Sequence, residues 1–344
     1  MKNCIATFLS IFFVLSFFIN AQVKTIRDPK PSVDESVCPS KNLILIKEII
    51  SDDINADDFM VRPYEIAVDK KGNIFTFDAK IRKIFKFDNQ FRFIKVFGNE
   101  GEGPGEYRKT RNPLYLQIKD EVFLFLVDIV EKNFLKYDLN GNFLEEIDIP
   151  IKTFDTGTPV FDQEGNAYVI DTDKNGISRF GENGQRLDTF LSFKDYEYSV
   201  ELEIKPSHYS FWVTPGAFNT YFSVFNDNSL FIYLFGPSKF FIFKDGKLEK
   251  NVFIYPKESL LDYREKIKSR GDSFFFLFNS CIFDQDTWQS FYLVQARAKE
   301  ILQIDLNGKL IKKLKYDTPV LFRVKKNGYF YGSFNESIFI FKEV

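Results

Sequence analysis

Three aspartates, Asp78, Asp128 and Asp171, each close an apolar run of strand length in successive stretches of the chain. Carboxylates recurring in that way can gather around one face of a repeating scaffold. Three of them would seat a hard cation such as calcium, which takes several oxygen donors. With Glu65 added, the same group would suit a calcium-dependent hydrolase or lactonase. A plainer role is open to the same residues, because an Asp that follows a strand accepts backbone N–H bonds in the turn. The expectation is therefore turn chemistry, with no metal and no cofactor.

The other candidates point to contact rather than to reaction. The sole histidine, His208, lies in Lys205-Pro206-Ser207-His208-Tyr209-Ser210-Phe211-Trp212. Tyr209 and Trp212 suit ligand contact, since a flat amphipathic ring stacks on a sugar or receives a peptide side chain at low entropic cost. Trp288 is a further contact candidate, with hairpin capping as its plainer role. Glu106, Arg108 and Arg111 follow a Gly-rich stretch and would decorate a rim where a polar or anionic ligand is held. No Ser-His-acid spacing, no His pair for zinc and no His partner for Cys281 is present in a defensible arrangement.

The elements that must carry these residues repeat. An apolar strand, a Gly/Asn/Asp turn and a second strand ending on Asp occur as Ile66–Asp78 and again as Pro159–Asp171. The first full unit has strands near Tyr64–Val68, Ile74–Phe77, Ile81–Phe87 and Phe91–Phe97. The second covers Leu114–Ile147, the third Thr158–Phe190, the fourth Phe218–Ile254 and the fifth Ser273–Lys315. A sixth shows only three strands, Val320–Val324, Tyr329–Ser333 and Ser337–Phe341. The surplus strand Asn42–Ile50 supplies the missing one, which predicts a closed ring of small antiparallel sheets. A two-sheet sandwich would give strands of similar length, but has no reason to place like turns at like phase. Asp195–Ala217 and Pro256–Asp272 interrupt the period; the second has the spacing of a short surface helix.

The chain has 344 residues, 43 of them Phe, and a formal charge of -2 with basic and acidic residues interleaved. Nothing in that distribution attracts nucleic acid. Met1–Ala21 reads as a secretory signal peptide cleaved after Ala21, 22–40 as an extended leader, and 41–344 as one domain. No integral membrane span is expected after cleavage, and the protein should be exported to the periplasm, the cell surface or the medium. Cys38 and Cys281 could pair there, yet Cys281 lies in an apolar run where buried free Cys is common.

The stretch Arg62–Tyr107 resembles the NHL-type repeat. It is similar above all to the six-bladed β-propellers of exported bacterial proteins in which a unit ends Phe97-Gly98-Asn99-Glu100-Gly101-Glu102-Gly103-Pro104-Gly105-Glu106-Tyr107, with Arg111-Asn112-Pro113 leading onward. The resemblance implies an all-β, six-bladed propeller with four-stranded antiparallel blades. The Gly-rich segment lacks the Gly-Lys-Ser/Thr ending of a phosphate loop and is expected to connect blades. The expected function is a non-catalytic binding module for a carbohydrate, peptide or envelope-protein partner, with the calcium-dependent enzyme and a structural envelope protein as alternatives.

Overall fold

The computed structural model describes residues 38–54, 59–108, 115–119, 123–128, 133–148, 159–162, 164–171, 174, 176–181, 183–190, 220–225, 227–234, 239–254, 280–295 and 298–344. Among these, regular structure is β apart from one short 3-10 turn, Ser51–Asp53. Strand β1 (Ser40–Ile49) stands first. Blade 1 follows as β2 (Pro63–Val68), β3 (Ile74–Asp78), β4 (Lys83–Phe87) and β5 (Phe93–Phe97), paired in that order. Two short strands, β6 (Asn99–Glu100) and β7 (Glu106–Tyr107), pair with each other in parallel.

Blade 2 is β8 (Tyr115–Lys119), β9 (Phe123–Asp128), β10 (Asn133–Asp138) and β11 (Phe143–Asp148). Blade 3 is β12 (Val160–Phe161), β13 (Ala167–Asp171), β14 (Gly176–Phe180) and β15 (Arg186–Phe190), and blade 4 is β16 (Thr220–Val224), β17 (Leu230–Leu234), β18 (Lys239–Lys244) and β19 (Lys247–Phe253). Blade 5 holds β20 (Ser280–Phe283), β21 (Ser290–Gln295), β22 (Glu300–Asp305) and β23 (Leu310–Lys315). The last three strands, β24 (Leu321–Lys326), β25 (Tyr329–Phe334) and β26 (Ser337–Glu343), make blade 6 once β1 is added.

The first strand of each blade is the inner one. First strands of neighbouring blades touch, as β2 does β24 and β8, and as β16 does β12 and β20. Fourth strands face solvent, so β3 is buried throughout while β11 is exposed except for the half-buried Phe143 and Ile147. Aromatic and β-branched residues on both faces of the middle strands fill the gaps between blades. Among the described residues six apolar clusters result, one at each seam. Phe77, Ile84, Leu124 and Tyr137 fill the gap between blades 1 and 2, Phe134 and Val169 that between 2 and 3, and Ile170 and Phe241 that between 3 and 4. Phe231 and Phe291 join blades 4 and 5, Tyr292 and Phe330 join 5 and 6, and Phe85 and Ile340 join 6 and 1. A core at every seam defines a closed ring.

Closure is made by β1. It runs antiparallel to β26 from Leu43 opposite Glu343 to Ile49 opposite Ile338, and its first residues pair in parallel with β23. Leu43 enters the core between blades 5 and 6, and Ile49 that between 6 and 1. One strand thus seals two seams.

The repeated turns are Asx-type hairpins. Asp138 Oδ1 accepts the N–H groups of Asn140 and Asn142, while Gly141, at φ +80°, donates to the Asp138 carbonyl. Asp69 and Asp162 each accept from the backbone N–H four residues on in the same way, and so does Asp305. A side chain that satisfies its own turn, with a residue tolerant of positive φ at the fourth place, accounts for the recurring sequence.

Cys38 and Cys281 are not joined by a disulfide. In sheet register Cys281 stands opposite Leu293, Leu293 opposite Leu302, Leu302 opposite Lys313, and Lys313 opposite Ser40. Four strand spacings are roughly 19 Å, well beyond the reach of a disulfide to Cys38, two residues ahead of Ser40. The interruption at 195–217 and the helix expected within 256–272 lie outside the described residues, as do Met1–Ala21 and most of the leader.

Candidate functional site

Each inner strand ends in a hairpin on one face of the ring, so the chain enters that strand from the other face. The second strands also end on this second face, which carries the links between blades and is called here the connection face. Asp78 ends β3 there and is fully buried. Its Oδ2 accepts the N–H groups of Val61 and Arg62 at 2.6 Å, and its Oδ1 those of Lys80 and Ile81 at 2.8 and 3.1 Å. Asp171, equally buried, takes the Ser178 hydroxyl and an Arg186 guanidinium N–H at 2.7 Å each. Each carboxylate is thus spent inside its own blade. The side chain of Asp128 lies outside the described residues. Among the described residues no group of three His, Cys, Asp or Glu side chains is close enough to share a metal ion.

The Gly-rich segment folds as a brace between blades 1 and 2. Glu106 turns back on its own loop, accepting the Gly103 N–H at 2.9 Å, and a Cβ on Gly101 would lie 1.9 Å from the same carboxylate oxygen. Tyr107 bonds the Arg82 carbonyl, and Tyr137 of blade 2 donates to the Gly105 carbonyl at 2.7 Å. Arg82 is held by Glu100 at 2.6 Å, with its guanidinium carbon 5.7 and 5.4 Å from the ring centres of Phe77 and Tyr107. Arg108 is exposed, and its carbonyl accepts from Arg82 at 3.2 Å. The sequence suggested Glu106 as a ligand contact; its place in the loop gives it a structural partner instead. Arg111 lies outside the described residues, together with His208, Tyr209 and Trp212.

Trp288 sits at φ +57° in the β20–β21 hairpin, its ring stacked on Phe283 at 5.4 Å and edge-on to Phe225 at 6.3 Å. It covers the seam between blades 4 and 5. This hairpin belongs to the turn face, opposite the connection face.

The inner strands hold a group that sequence reasoning named only in part. Register slips between Pro63 and Glu65 on β2, and between Phe322 and Val324 on β24. These slips leave Tyr64 and Arg323 as extra residues, and a bulge re-aims the side chain it inserts. The two bulges stand on neighbouring inner strands, and their extra residues meet: the Arg323 guanidinium carbon is 4.6 Å from the Tyr64 ring centre. Arg323 Nη1 is 3.5 Å from Glu65 Oε1, with side-chain exposures of 23% and 10%. Burial lifts the Glu65 carboxyl above its ordinary value against the pull of Arg323. Gln117 is the third residue of β8, as Glu65 and Arg323 are of their strands, and its buried Oε1 has no protein donor. Two neighbouring inner strands thus bring Glu65, Tyr64 and Arg323 together, in the half nearer the connection face. Glu65 was legible in the sequence as an acid in a strand; the bulges that give it an arginine were not, because a bulge is a property of pairing.

A ring of six four-stranded blades with aromatic and polar groups on its inner strands defines a β-propeller. The chain belongs to the family described as a 6-bladed beta-propeller, whose model matches residues 55–273. No curated protein matches the chain. Solved structures repeat the fold at low identity. A Bacteroides fragilis protein described as exported is 14% identical with a TM-score of 0.55, over 88% of this chain and 98% of that one. A streptogramin B lyase is 14% identical at a TM-score of 0.52, over 88% and 87% of the two chains. A catalytically inactive virginiamycin B lyase from Staphylococcus aureus, solved with quinupristin, is 11% identical at 0.51, over 87% and 99%. At such identities the likeness is one of fold.

Proposed function

We propose that the protein is an exported binding module that holds a carbohydrate, peptide or protein partner on the connection face without transforming it. The observation that carries this reading is the Tyr64–Arg323 pair: two strands give up regular pairing to bring an aromatic ring and a guanidinium together near the ring axis. Bulges kept at a shared edge are designed features, and irregular backbone clusters at functional sites. The described ends that flank 191–219 and 255–279 lie on the same face. Asp78 and Asp171, occupied within their own blades, give no support to a calcium-dependent hydrolase. Export is supported by the apolar run Ile5–Ile19 ahead of Ala21 and by the exported description of the Bacteroides fragilis protein.

Titration of the chain from Gln22 against glycan and peptide panels, read by calorimetry, tests the module. A saturable ligand weakened by Tyr64→Ala or Trp212→Ala is the expected result. Binding indifferent to both substitutions, or steady turnover of the ligand, overturns the proposal. Mass spectrometry of the secreted chain should find an N-terminus at Gln22; an intact Met1 form overturns export.

A further inference from the structure

The guanidinium of Arg323 is underused. It has five N–H donors, and its one close acceptor among the described residues, Glu65 Oε1, stands 3.5 Å from Nη1, longer than a formed N–H···O bond. Its Nε is buried and has no protein partner. The Tyr64 ring holds the guanidinium plane from one side, so the fork is positioned before any ligand arrives. A planar fork with an unfilled edge fits a carboxylate, which takes two parallel N–H···O bonds.

We infer that Arg323, held by Tyr64, is a receptor for the carboxylate of a ligand, and that Glu65 is the resident acid beside it. The inference rests on the binding-module reading and names the chemical class of its ligand. Glu65 decides between anions. A phosphate dianion would face the Glu65 carboxyl with a single guanidinium to balance it. A monocarboxylate leaves room for Glu65 to take up one proton from solvent and donate it as a hydrogen bond to the bound carboxylate, and burial already disposes that group to hold a proton.

The test uses galacturonate, its neutral counterpart galactose, acetate and inorganic phosphate as probes of the chain from Gln22, with binding read by calorimetry and fold by thermal melting. Galacturonate and acetate should bind and phosphate should not. Arg323→Gln, which keeps length and polarity, should weaken galacturonate roughly ten- to a hundredfold, the loss expected for a charge-assisted pair. Glu65→Gln should hold or tighten it, because the amide can donate as the protonated acid does. Acetate bound while galacturonate is refused supports the carboxylate site with a narrower entrance. Carboxylate affinity unchanged in Arg323→Gln overturns the inference, as does phosphate bound more tightly than acetate. Strong binding of a neutral glycan that Arg323→Gln leaves intact overturns the carboxylate receptor while sparing the binding module.

Discussion

At the scale of the residue, the molecule divides its carboxylates into two kinds. Asp88, Asp138 and Asp286 are pushed upward by partial burial, but hydrogen bonds outweigh it and set them below the ordinary range: from Arg92 for the first, Asn142 for the second and Lys325 for the third. Their stabilisation is present above the unfolded carboxyl value and is lost as pH falls through the folded one. Glu65 runs the other way. Its folded value is raised, so the native state holds that proton more tightly than the unfolded chain does, and stability declines as pH rises from about 4.5 through the raised value. Glu65→Gln should therefore melt with wild type near pH 4.5 and above it at neutral pH; a melting difference that is constant with pH would refute this. Lys325 makes the second residue-scale case, joining blades 5 and 6 through Asp284 at 2.8 Å and Asp286 at 2.5 Å. Lys325→Met strands the buried Asp284 carboxylate and should cost about 3–5 kcal/mol in denaturant titration, whereas Asp286→Ala, which leaves Lys325 its other partner, should cost about 1–3 kcal/mol.

At the scale of the element, the outer strands share a device absent from any sequence pattern. Register slips where each fourth strand meets its third, leaving Ile94, Leu144, Leu187, Glu249, Ile311 and, on β1, Ile46 as the extra residue. Five of the six are aliphatic and exposed. A bulge twists an edge away from flat pairing, so these positions guard open strand edges against joining another chain. The Gly-rich brace is a second element whose sequence has a steric cause. Gly105, at φ +76°, would place a Cβ 2.6 Å from Phe143 of blade 2, so Gly105→Ala should lower stability by roughly 1–3 kcal/mol through strain and a forced shift at the seam. A melting curve superposable on wild type would show that the brace yields freely. Strands, turns and the blade count were legible because each rests on local period: Asp138 to Asn142 reads as a turn wherever it falls. Bulges were not, since Tyr64 and Arg323 differ from their neighbours only by what stands across the sheet. Nor does sequence spacing reveal that Glu106 would face its own loop.

At the scale of the whole molecule, stability is shared among six seams, and the strand that seals two of them is held by its pairing and by Leu43 and Ile49 in the two cores. Ile49→Ala, which opens the core between blades 6 and 1, should cost about 2–5 kcal/mol. Removal of 41–50 should abolish cooperative melting, while loss of 22–27 should leave it unchanged; a cooperative, wild-type-like melt without 41–50 would sink the closure argument. Leu43 and Glu343, partners in the sheet, stand about 300 positions apart in the chain. Strand β1 therefore waits for β26. Until Ser337–Glu343 is made, Ile49 lacks the antiparallel partner that carries it into the core between blades 6 and 1. Synthesis of β26 is then the moment of ring closure. Nascent chains stalled before Ser337 should show β1 cleaved by protease, and chains carrying a linker after Val344 long enough to clear the ribosome should show it protected.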